Sequence, residues 1–155
     1  MRKSWKWAAG GLLGLLLFLQ FFQPDKTPPP SDENLDMLSR LPADAKVAGL
    51  LERACQDCHS HKTKYPWYSY LAPVSFWIAN HIEDGRKHFN MSVFGTYPPK
   101  KAAHKLEEGY EVLESHEMPM DSYTWLHPEA RLTEEERRVL SLWFRKQYAA
   151  AEAGE

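Results

Sequence analysis

The sequence predicts an all-α fold, and three observations predict it. Apolar residues recur at three- and four-residue spacing in four separate stretches. No stretch alternates apolar and polar residues for long enough to form a strand. Helix punctuation stands where the periodicity needs it, most plainly at Thr133 and Glu136, a capping box ahead of the last apolar stripe. At 155 residues the chain is one domain and a little more.

The first segment is basic and then apolar. Arg2, Lys3 and Lys6 precede Trp7–Phe22, which is interrupted only by Gln20. With Trp5 and Gln23 at the interfaces, the run approaches the ~20 residues that span a bilayer. Leu19-Gln20-Phe21-Phe22-Gln23-Pro24 lacks the small residues of a cleavage site, so residues 1–23 are expected to be an uncleaved signal anchor, a single transmembrane helix. A cleaved signal is the alternative. Basic residues before the run place the N-terminus in the cytoplasm. The expected location is a bacterial inner membrane, single-pass, with the C-terminal domain in the periplasm. Pro24, Pro28, Pro29 and Pro30 make residues 24–41 a stiff, extended linker, expected to lift a domain at 42–150 off the membrane.

Within that domain, Pro42 opens a helix whose Val47, Leu50, Leu51 and Ala54 share one face. Residues 61–72 are a loop dense in rings: Tyr65, Trp67, Tyr68 and Tyr70. Pro73 starts a second helix with Val74, Trp77, Ile78, His81 and Ile82 in one stripe. Gly85 is expected to break its far end, with Asn90 as terminator. A turn-rich connection, 92–98, leads to a third helix at Lys100–Ser115, carrying Ala103, Leu106, Tyr110 and Leu113. Residues 116–132 are irregular. The helix from Thr133 buries Val139, Leu140, Trp143 and Phe144.

The chemistry concentrates at Cys55-Gln56-Asp57-Cys58-His59, which holds both cysteines. C-x-x-C-H is the attachment signature of c-type haem. Two thiols at that spacing reach one edge of a macrocycle, and the next side chain swings beneath it. A disulfide here would close a very small loop and staple little. A thioredoxin-like dithiol needs a βαβ setting, and a zinc site needs two more ligands at matching spacing. One covalent haem c is therefore expected, with His59 as iron ligand. Setting aside the three basic residues of the first segment leaves 16 basic against 21 acidic side chains. That balance argues against nucleic acid, which asks for a basic patch.

Several motifs together resemble the bacterial haem-binding domain family, small cytochrome c-like proteins with an N-terminal membrane anchor. They are Cys55–His59 with Ser60, Tyr65-Pro66-Trp67-Tyr68, Ala72-Pro73-Val74-Ser75, His81-Ile82, Gly85-Arg86, and Asn90 with Ser92. The resemblance covers roughly residues 40–146. It implies a cytochrome c-like small helical domain wrapped around one covalent haem. In cytochromes c of this order, a methionine in an irregular loop before the last helix is the sixth ligand, which points to Met118. Met120, a histidine or an open position are the alternatives, and His81 is the histidine on an apolar helix face. A proline carbonyl in the region of Pro73 accepts the proximal imidazole N–H in related cytochromes, a role carried to Pro73. Tyr65, Trp67, Tyr68, Arg86 and Asn90 are candidates to hydrogen-bond haem propionates, with loop packing as the competing role. The function so implied is a membrane-anchored periplasmic monohaem cytochrome that carries single electrons to redox partner proteins, without being an enzyme. The alternatives are a haem-based ligand sensor or binding module with an open sixth site, and a small haem peroxidase.

Overall fold

A computed structural model describes residues 2–154. Eight α-helices and short 3₁₀ turns account for its regular structure, and no strand occurs among the described residues. Helix α1 is Arg2–Leu19, α2 Met37–Arg40, α3 Ala45–Ala54, α4 Gln56–His59, α5 Val74–His88, α6 Pro99–Glu114, α7 Asp121–Thr124 and α8 Glu134–Ala153.

The expected transmembrane helix is corrected. Helix α1 has 18 residues, roughly 27 Å at ~1.5 Å per residue, and its first turns hold the three basic residues. The unbroken apolar part begins at Trp7 and is roughly 20 Å long, short of the ~30 Å hydrocarbon core. Among the described residues no helix is long and apolar enough to cross a membrane.

The linker and the residues just before it lie along the domain. The Gln20 side chain pairs with the Ala72 backbone through two hydrogen bonds of 3.0 Å. The Lys26 ammonium sits 4.6 Å above the Tyr70 ring, and the Pro30 carbonyl meets His61 Nδ1 at 3.1 Å.

The domain is built on α3, α6 and α8. Helices α6 and α8 form its most extensive pair. Val47, Leu50 and Leu51 from α3, Leu106 and Leu113 from α6, and Leu140, Trp143 and Phe144 from α8 make one buried cluster. Met37, Met91 and Phe94, outside the predicted helices, complete it, the two methionines at 0% and 1% exposure. Local caps set the helix starts. Asp44 accepts the Val47 amide at α3, and Thr133 and Glu136 make both bonds of the capping box at α8. Trp143 Nε1 donates to the Pro42 carbonyl at 2.9 Å, holding the entry to α3 against α8.

Helix α5 does not break at Gly85; it continues to His88. The glycine is needed for packing, since a Cβ there would lie 2.7 Å from the Cys58 carbonyl oxygen. The predicted third helix ends where expected. His116, at φ 63°, takes the left-handed turn that commonly follows a helix end and sends the chain into the irregular stretch.

Candidate haem site

Helix α3 delivers the motif. The Cys55 amide still donates to Leu51 at 3.0 Å, while the Cys55 carbonyl already accepts from the His59 amide at 3.0 Å. Cys55, Cys58 and His59 therefore share one turn directly after a core-packed helix. The following segment is pinned by Arg86, whose Nε donates to the Ser60 carbonyl at 2.8 Å and whose guanidinium reaches Thr63 Oγ1 at 3.0 Å. Asp57 accepts the Lys64 amide at 2.9 Å and the Tyr123 hydroxyl at 2.8 Å.

His59 is oriented from the far end of α5. Its Nδ1 is 3.0 Å from both the Gly85 and the Phe89 carbonyls. Carbonyls only accept, so Nδ1 carries the proton and the lone pair lies on Nε2. Burial holds this imidazole below its ordinary pKa, against the two backbone bonds that favour the charged form. Burial likewise pushes Cys58 up to about 11 and Cys55 up to about 12. The two cysteines are not paired in a disulfide.

These groups open onto one cleft of about 550 Å³, within the roughly 300–1,000 Å³ of cofactor sites. Cys55, Cys58 and His59 line it, and Met118, Pro119 and Met120 line it as well. Leu51, Ala54, Val112, Leu113, Phe89 and Phe144 supply its apolar walls. Gly109 also lines it, and a Cβ at that position would lie 2.7 Å from the Phe144 ring. Met118 is fixed by its backbone. Its amide donates to Val112 at 3.0 Å, and Arg137 Nη1 donates to its carbonyl and, at 3.0 Å, to that of Leu113. His81 borders the cleft too, with Nδ1 2.8 Å from the Trp77 carbonyl and its ring 4.2 Å from the Trp77 ring.

Other expected site residues lie elsewhere. The Pro73 carbonyl accepts from the Phe76 and Trp77 amides at the start of α5; the carbonyls beside His59 belong to Gly85 and Phe89. Arg86 faces the segment after the motif, outside the cleft lining. Asn90 is buried, accepting the Ser92 amide at 3.0 Å and meeting His61 Nε2 at 2.9 Å. Tyr65 and Tyr68 line a smaller depression that adjoins the cleft, where the Tyr68 hydroxyl pairs with His127 Nε2. Trp67 is 76% exposed. The charged border of the cleft instead includes Asp84, Lys105 and Glu108. Gly85 within an apolar helical stripe was the available signal for the His59 support.

The donor set suits a haem. Two thiols, an imidazole nitrogen with a free lone pair and two thioethers meet in an apolar cleft, and soft sulfur and imidazole are the ligands haem proteins use. A family model described as "Haem-binding domain" matches residues 14–146. The chain belongs to the haem-binding domain family. The matched stretch begins inside α1, so the linker that lies on the domain falls within it. As a haem-binding domain with Cys55 and Cys58 on the cleft wall, the chain is consistent with a c-type haem protein. It is similar to "Cytochrome c peroxidase Ccp" of Escherichia coli (strain K12), at 30% identity over 111 residues, 67% of this chain and 23% of that protein. The chain thus spans about a quarter of this curated relative. No solved structure matches it.

Proposed function

We propose that this haem-binding domain is a monohaem c-type cytochrome that carries single electrons. Cys55 and Cys58 would hold the haem covalently, with His59 and Met118 as axial ligands. The haem would supply a one-electron iron couple, with a methionine ligand raising its potential. The carrying observation is that Cys55, Cys58, His59 and Met118 line one apolar cleft while His59 Nδ1 is tied to backbone. Each residue has a separate task. The thiols attach, and the Gly85 and Phe89 carbonyls fix the imidazole plane and raise its basicity. The apolar walls exclude water, and the Met118 backbone bonds hold the thioether in place. The apolar N-terminal segment serves as export signal and attachment to the outer face of a bacterial inner membrane, near membrane redox proteins.

The test is the absorption spectrum of the reduced and oxidised protein, with Met118→Ala and Met120→Ala beside it. Haem should survive denaturing electrophoresis. The reduced wild type should be low-spin and resist carbon monoxide, and Met118→Ala should turn high-spin and bind it. A Met118→Ala spectrum identical to wild type overturns that ligand; haem lost on denaturation overturns covalent attachment.

The similarity to the E. coli peroxidase favours a second reading, in which the sixth position is open and the site meets a small molecule such as peroxide. Immediate carbon monoxide binding by the reduced wild type would decide for it.

A further inference from the structure

The exposed large apolar side chains of the domain are segregated. Among the described residues after the N-terminal apolar run, all but Leu142 fall at positions 67–77 and 125–126. Trp67 and Trp125 are each 76% exposed. Tyr70, Leu71, Val74, Trp77 and Leu126 complete the set. The two stretches meet in space, since Trp77, Tyr68, Leu126 and His127 line one shallow depression. Trp67 packs edge-on against Tyr68, with ring centroids 5.8 Å apart.

This face adjoins the end of α1. Gln20 is bonded on both sides to Ala72, between Leu71 and Val74, and Lys26 caps Tyr70. Helix α1 itself exposes Leu12, Leu13, Leu15, Leu17 and Phe18. At ~100° per residue these positions run right around the helix, so its surroundings must be apolar on every side. A protein groove would cover one side, whereas tilted insertion into the bilayer from one face surrounds the ~20 Å apolar stretch without crossing it. The domain face carries the residues that suit the next layer out. Tryptophan and tyrosine present an apolar body and a polar handle and collect at the headgroup level, and a lysine beside them keeps its charge in water.

We propose that the face formed by residues 67–77 and 125–126 docks the domain on the lipid bilayer, continuing the apolar surface of α1. This rests on the reading that the N-terminal segment is membrane-attached. The depression in this face shares Asp57, Cys58, His81, Met120 and Tyr123 with the haem cleft. Docking therefore turns the Cys58 edge of the cleft toward the bilayer.

The test uses the full-length, haem-loaded, reduced protein labelled with 5-fluorotryptophan, in phosphatidylcholine–phosphatidylglycerol nanodiscs with and without nitroxide lipid. Its six tryptophans report on each part separately by fluorine NMR, assigned by Trp→Phe substitution. Trp67, Trp77 and Trp125 should lose intensity with nitroxide lipid and be shielded from a soluble gadolinium chelate. Buried Trp143 should be affected by neither. In Trp67→Ser/Trp125→Ser the Trp77 loss should disappear while the Trp143 signal and the haem spectrum stay unchanged. If Trp5 and Trp7 respond to nitroxide lipid but Trp67 and Trp125 do not, docking is overturned and attachment stands. If none responds, attachment fails as well. If Trp67 and Trp125 are shielded from both probes, a protein or a second copy covers the face, and the lipid assignment is overturned.

Discussion

The two walls of the cleft are built differently. On the histidine wall, α4 is pressed against α5 so closely that Gly85 has no room for a side chain, His59 meets two carbonyls, and Arg86 ties down the segment that follows. On the methionine wall, Met118 lies in a loop between α6 and α7, held chiefly by its own backbone bonds to Val112 and Arg137. One wall is set by helix packing and the other by a few hydrogen bonds. A site arranged this way keeps its attachment and proximal ligand fixed while the sixth position can yield first.

The largest expected effect comes from breaking the rigid wall. Gly85→Ala would drive a Cβ into the Cys58 carbonyl, and neither helix backbone can move without disturbing His59. Overpacking of this kind costs about 2–3 kcal/mol. Thermal unfolding should shift down, and haem incorporation, followed by haem stain, should fall with it.

Arg137→Leu tests the softer wall. It removes the donor to the Leu113 and Met118 carbonyls, a loss of about 2 kcal/mol for hydrogen bonds from a charged group. Haem content should stay near wild type, while carbon monoxide binding to the reduced protein accelerates. A fall in haem content equal to that of Gly85→Ala would erase the contrast between the walls.

The smallest effect concerns pH. Glu114, at the end of α6 before the methionine loop, is held down to about 2 from 4.5, first by its hydrogen bond to Arg145 and then by Ser141. Its folded pKa is lowered, so its stabilisation is present above the ordinary carboxylate range and is lost as pH falls from about 4.5 toward 2. Glu114→Gln should flatten that part of the acid-unfolding curve slightly, as expected of an exposed pair.

What could be read from the sequence was local. Thr133 and Glu136 cap α8 because a capping box spans four residues, and the stripe ending at Ala54 runs into Cys55 because helix and motif are contiguous. Met118 and Met120 were accessible through their place before the last helix. The support of His59 left one trace, Gly85 in the apolar stripe of α5, but not its chemistry, because Gly85 and Phe89 lie 26 and 30 residues away and contribute only carbonyls, which any residue has. Arg86 and Asn90 were expected, through the family resemblance, to meet haem propionates, but a charge or amide does not reveal which way it faces. Arg86 braces the Ser60–Thr63 segment, and Asn90 caps a turn. Met37 escaped because a helix of four residues is too short to show a period.

The linker lying on the domain changes how such a protein would meet its partners. A free chain of about ten residues lets its cargo wander over roughly 17 Å. Here Gln20, Lys26 and Pro30 remove that freedom. A cargo on a leash finds its partner by tumbling, whereas one bolted to its mount offers a single fixed face. Encounter then becomes a question of lateral drift and matching height, and the proline-rich stretch acts as a bracket, not a tether.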